Sequence, residues 1–346
     1  MANRYWVGGT GTWDASSTTH WSTVSGGSAG ATAPTSTDAV IFDGNSGTGT
    51  VTTSGALSCA SLNCGSYSGT LTLGAGLTVN GNITLAFGMT FTPAGFTVTV
   101  SPAAANSTVN GAGKYFAGLT IAAGSYTVST GGSGVTCTGT LTLTSGGLSG
   151  SFTAANFSSN NSNTRTLALG GNIVLTGTGT VWDLATTTGL TFTKGSANIL
   201  LSDTSATART FAGGGLTYNK LTIGGTTGSS NTTITGSNTF SELASMKTVA
   251  HTITFTSGTT TTIGAWTIAG TAGNLVTLAA STTSAANLVY NGSGRVSSDY
   301  LSISYSTVTP ASTWYAGTHS TNGGNNSGWN FTAPPNSNGL LFGSIF

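Results

Sequence analysis

Asp183 in "TVWDL" and Asp203 in "LLSDT" are the side chains of this sequence whose type and spacing come closest to a reaction centre. Glycoside hydrolysis normally uses two carboxyl groups, about 5–5.5 Å apart for retention of configuration and about 6.5–9.5 Å apart for inversion. Twenty positions separate this pair. In a coiled repeat of that length the two would stack on one face, with Trp182 as a ring for a sugar to lie on. The competing reading is local, because Asp at a strand-to-turn boundary commonly binds the amides of its own turn. The chain has six Asp and one Glu, and no further acid, base or cation clusters at this pair. The expectation is a protein that is not an enzyme.

Other chemistries find less. Cys59, Cys64 and Cys137 are odd in number, which rules out a complete disulfide framework and reads as buried free thiols. Cys59 and Cys64 stand five apart with no neighbouring His, and His20, His251 and His319 are scattered singly, so neither a metal site nor a cofactor is expected. Gly-rich runs such as "TGGSGVTCTG" lack the Lys of a phosphate loop and the Asp of a calcium repeat, and read as turns. Thr-x-Thr units such as Thr70-Leu-Thr72 and Thr97-Val-Thr99 raise ice binding, which needs one flat face with the same unit in every coil. The drifting coil lengths argue against it.

Composition narrows the partners. Charged residues are 4% of the chain, against about 25% in an ordinary soluble domain, and Lys+Arg at 8 nearly balance Asp+Glu at 7. Such a surface offers no basic stripe for nucleic acid and no polybasic patch for a lipid headgroup. No apolar run approaches the length of a membrane span.

The elements that must position any site are strands. From Leu71 the apolar positions run Leu71, Leu73, then Leu77, Val79, then Ile83, Leu85, then Met89, Phe91, then Phe96, Val98, Val100. Each group has the two-residue period of a strand with one buried face, and Gly, Asn or Pro separates the groups. The closest approach to a helix is "SELASMK", too short to stand alone. Strands every six or seven residues are too closely spaced for a typical sandwich. They predict an all-β chain, a right-handed parallel β-solenoid (β-helix) with three short strands per coil of roughly 18–25 residues and aromatic-rich terminal caps. Stacked β-sandwich modules are the alternative. The internal echoes of "GTLTLGAGL" at Gly69 in "GTLTLTSGGL" at Gly139, and of "RTLALGGNIVL" at Arg165 in "RTFAGGGLTYNKL" at Arg209, support the repeat.

Four segments follow. Residues 1–50 form an N-terminal Trp-rich cap or attachment segment, 51–300 the solenoid body, 301–332 a C-terminal cap, and 333–346 an apolar tail peptide. Solenoid ends expose core and strand edges that atypical segments must cover. Trp6, Trp13, Trp21, Trp314, Tyr315 and Trp329 therefore carry two readings, as cap residues and as binding residues that offer a ring to a ligand.

The segments "RYWVGGTGTWD", "PTSTDAVIFDGNSGTGTV", "TFTSGTTTTIGAW", "GTAGNLVTL" and "VSSDYLSISYSTV", closing on "WYAGTHSTNGGNNSGW", resemble the β-solenoid structural and fibre-like virion proteins of tailed bacteriophages, and similar bacterial surface proteins. The resemblance covers most of the chain up to Phe331 and maps no catalytic residue. It implies a viral structural protein, a tail fibre, spike or decoration component with a role in receptor binding and host adhesion, partnered by other virion proteins and forming a homotrimer. A polysaccharide-cleaving tailspike and a bacterial surface adhesin are the alternatives. The absence of a basic region followed by an apolar run at the N-terminus matches a virion protein made in the host cytoplasm without a signal peptide.

In the tail, Pro334-Pro335 stiffens the chain and Asn336 to Gly339 reads as a spacer. Leu340, Leu341, Phe342, Ile345 and Phe346 are too apolar to remain in water, and are expected to dock in trans as a strand on another virion protein or a neighbouring protomer, with folding back as the last cap of their own solenoid as the alternative.

Overall fold

The computed structural model describes residues 1–131 and 134–335. They form a parallel β-solenoid of about 13 turns. At about 4.8 Å per rung this makes a rod roughly 60 Å long.

One inward column shows how the sequence builds it. Leu57 pairs with Leu77, Leu77 with Val98, Val98 with Leu119, Leu119 with Leu141 and Leu141 with Phe157, all in parallel register. The column continues through Trp182, Phe211, Ile234 and Phe255. Each member is buried, and most are flanked in their strands by Ser, Thr or another small residue facing out, which is the two-residue period at work; Trp182, at a register shift, follows the equally buried Val181. Parallel ladders from one coil to the next replace the sandwich alternative. The coils drift in length more than the sequence pattern implied, with 16 residues from Leu141 to Phe157 and 29 from Trp182 to Phe211.

Three features differ from the sequence pattern. Phe96 is 37% exposed rather than inward, because it leaves a Pro93–Phe96 turn in which Ala94 and Gly95 have positive φ, and alternation starts only at Thr97. "SELASMK" opens with the end of a strand, Thr239–Ser245, whose Glu242 meets Lys220 on the rung below at 2.8 Å. The internal echoes do not mark one position around the coil. Thr70–Thr72 belongs to a four-strand sheet with Gly11–Trp13, Thr50–Thr53 and Thr90–Thr92, whereas Thr140 and Thr142 stack on Asn156 and Ser158 in the large sheet.

The similarity of the two Arg-led segments has a physical basis instead. Arg165 and Arg209 each open a strand with a fully buried side chain. The Arg165 guanidinium donates to Ser159 Oγ at 2.7 Å, to the carbonyls of Ser159, Asn163 and Thr188 at 2.8, 3.0 and 2.7 Å, and to that of Thr186. It thereby ties together two long corners that have no ladder of their own. Arg165→Met should lower stability by about 2–4 kcal/mol, since it leaves several partly buried carbonyls without donors. Chemical denaturation of the two proteins measures this, and a loss under about 0.5 kcal/mol would contradict the clamp.

Both ends are closed by aromatic residues. At the N-terminal end Asn3–Trp6 pairs antiparallel with Trp21–Ser22 and parallel with Ala39–Ile41, so the first fifty residues are already a coil of the stack. Trp6, Trp13, Trp21 and Phe42 pack together there, with Trp6 and Trp21 edge to face at 5.2 Å. At the other end Trp314 packs edge to face on Trp266 at 5.4 Å and on Trp329 at 5.0 Å.

Candidate functional site

The six aromatic residues expected to bind ligand are placed mainly as packing. Trp6, Trp13 and Trp314 are 0% exposed, Trp21 is 1% and Trp329 is 9%. Their indole N–H groups are used internally where partners exist, Trp6 on the Gly9 carbonyl at 2.7 Å, Trp314 on that of Thr309 at 3.2 Å and Trp329 on Ser306 Oγ at 3.1 Å. The binding expectation is corrected for these five. A ring buried in a cap has no free face for a sugar. Tyr315 is half-buried, with the Arg295 guanidinium over its ring at 5.9 Å.

The carboxylate pair is not assembled. Asp183 stacks between Ser158 and Ala212, whereas Asp203 follows the strand Asn198–Leu201, which stacks between Asn172–Leu175 and Lys220–Ile223. The coil here is long, so twenty residues bring the chain to a different face instead of the same one. Each carboxylate has local partners. Asp203 accepts from the Ser205 amide at 3.1 Å and from its hydroxyl at 2.6 Å, and Asp183 accepts from Asn160 at 3.2 Å and the Ala185 amide at 3.3 Å. Trp182 is buried between Phe157 and Phe211 and offers no sugar platform.

The thiols and histidines are dispersed as well. Cys59, Cys64 and Cys137 are free and buried, and burial pushes Cys59 and Cys137 up to about 12 and Cys64 further. Among the described residues, no three His, Cys, Asp or Glu side chains converge as metal ligands, and no helix is long and apolar enough to cross a membrane. The docking residues Leu340, Leu341, Phe342, Ile345 and Phe346 lie outside the described residues.

The outer surface presents two Thr arrays and several grooves instead. Thr12, Thr52, Thr72 and Thr92 form one ladder, and Thr50, Thr70 and Thr90 a second beside it. The Thr-x-Thr unit therefore recurs on three successive rungs, but Thr97-Val-Thr99 lies on another sheet. Beside the strand Leu190–Thr193, which pairs only with the coil before it, a groove of about 400 Å3 is lined by Leu190, Phe192, Lys194, Gly215, Leu216 and Thr217.

Among the described residues, the most exposed aromatic ring is one that sequence reading passed over. Phe87 is 87% exposed at the corner between the strands Ile83–Thr84 and Thr90–Thr92. One coil on, the turn Gly111–Lys114 sends Lys114 back over it, with Nζ donating to the Phe87 carbonyl at 2.8 Å and standing 5.6 Å from the ring centre. Alternation in the next strand then turns Tyr115 outward, 47% exposed, and Phe116 inward. An exposed ring beside an ammonium group suits a pyranose, whose C–H face packs on the ring while a hydroxyl pairs with the ammonium. Sequence carried no signal for this: Phe87 falls on the same two-residue period as the buried Leu85, Met89 and Phe91, and the turn at 87–88 takes it out of line.

Comparison with known proteins adds no relative. No protein-family model, curated protein or solved structure matches this chain.

Proposed function

We propose that this chain is a non-enzymatic structural component of a tailed-phage virion, fibre-like or decorating, that contributes to attachment at the host surface. The observation that carries the proposal is the uninterrupted parallel stack with a nearly uncharged exterior. Such a stack resists bending because every coil is paired to its neighbours, and Thr and Asn ladders can repeat at about 4.8 Å where repeated like charges would repel. The resemblance of its Trp-, Thr- and Gly-rich segments to phage solenoid proteins supports the same reading. On this proposal its partners are other virion proteins, it assembles as a homotrimer in the particle, and its ligands on the host are surface glycans.

The Phe87, Lys114 and Tyr115 corner is the glycan contact this proposal favours. Purified protein should compete with particles for adsorption to host cells. Phe87→Ala should need about tenfold more protein for the same competition, which corresponds to about 1.4 kcal/mol, within the range of an aromatic contact. Phe87 buries little surface in the fold, so the variant should melt as the parent does. Equal competition by the two proteins would remove this corner from the interface, and no competition by either would remove the attachment role.

A further inference from the structure

We infer that the corner around Arg209 and Lys247 holds a small monovalent anion, of which chloride is the biological example. The inference is independent of the role proposed at the particle. Arg165 sets the standard for a buried guanidinium in this fold, with five hydrogen bonds. Arg209 is equally buried, at 1% exposure, yet has two: Nη2 to Ser230 Oγ at 2.8 Å and Nη1 to the Asp203 carbonyl at 3.4 Å. Its Nε donates to nothing among the described residues. On the next rung Thr232 stacks directly on Arg209, is fully buried, and has a hydroxyl that is also without a partner. Two adjacent buried donors therefore lack an acceptor.

The charge is unbalanced in the same place. Lys247, 7% exposed, donates to the same Ser230 Oγ at 3.1 Å and to the Gly228 carbonyl, so one hydroxyl bridges two cations. His251, also buried, brings no negative charge, with Nδ1 against the Val249 carbonyl and Nε2 against Ser245 Oγ, each at 2.9 Å. The nearby carboxylate, Asp203, accepts from Ser205 and offsets one of the two positive charges, which leaves one in excess. Burial and the neighbouring Arg209 hold the Lys247 ammonium down at about 8. Buried cations persist where they are paired and hydrogen-bonded. Water would accept from the orphaned donors but would leave the charge. A spherical anion answers both and imposes no geometry of its own.

Thermal unfolding of the full chain in sodium chloride and in sodium gluconate at equal ionic strength tests this. A site on the folded state raises stability as the logarithm of one plus the ratio of anion concentration to Kd, so Tm should climb with chloride at constant ionic strength. Bromide should substitute, and Arg209→Met should abolish the response. Because Arg209→Met also removes a buried strand-opening side chain from the core, Thr232→Val serves as the second variant. It leaves the charge unchanged and should raise the half-saturating chloride about tenfold. Identical Tm values in the two salts, or a Thr232→Val protein with the parent's chloride response, would overturn the site.

Discussion

Val98→Asp unfolds the coils around residues 77–120 at temperatures where the parent is intact. Val98 is 1% exposed and sits between Leu77 and Leu119 in the inward column. Burying a carboxylate there costs on the order of 5 kcal/mol, or the group takes up a proton at a similar cost. That is comparable with the whole stability of many domains. In a stack whose stability is a sum of neighbouring interfaces, the loss appears first as local opening, visible as fast amide exchange in the strands Leu77–Val79, Thr97–Val100 and Leu119 to Ile121. Thr99→Asp is the control. Thr99 is the next residue, points outward between Thr78 and Thr120, and should tolerate the charge at under about 1 kcal/mol. Equal effects of the two substitutions would mean that the faces of this strand are reversed.

Alkali should destabilise the rod more steeply than acid. Burial raises Cys59 and Cys137 to about 12 and Cys64 further, whereas an unfolded thiol ionises near 9. Acids whose folded pKa is raised contribute stability that is complete below the unfolded value and is lost as pH climbs toward the folded one. Each thiol therefore withdraws about 1.4 kcal/mol per pH unit above about 9. Lys247 acts in the opposite direction. Its folded pKa of about 8 lies below its ordinary 10.5, so its burial penalty fades between those values and stability rises. Three thiols against one amine leave a net loss of roughly 2–3 kcal/mol per unit from about pH 9 to 10.5. Tyr67, raised to about 12 by burial, and Tyr218, raised further, add to it above pH 10. The triple variant Cys59→Ala, Cys64→Ala, Cys137→Ala should be less stable at pH 7 but should lose stability with alkali far less steeply. Parallel pH profiles for the two proteins would show that the thiols do not drive the transition.

What the sequence disclosed and what it concealed divide along physical lines. The inward positions of Leu73, Leu77, Val79 and Val98 were legible because a two-residue period fixes the face of each side chain, whatever lies on the next rung. The register between coils was not, because it depends on how many residues each corner absorbs. That is why Asp183 and Asp203, well spaced for one coil, stand on different faces of a longer one. The Trp clusters were legible as end structures, and their burial follows from the stack ending there. Phe87 was missed because an outward aromatic residue at a corner looks, in sequence, like one more member of the core. Arg209 and Lys247 lie far apart in sequence and meet through Ser230, a contact with no local sequence signal.

The measurement that bears most directly on the proposed role is the position of this chain on phage particles. Particles released from cells carrying its gene, purified and labelled with antibody against the solenoid body, should carry label at fixed sites on the tail or capsid, in copy numbers that are multiples of three. Particles free of the chain, with all of it recovered in cells or in the unsedimented medium, would contradict a virion role.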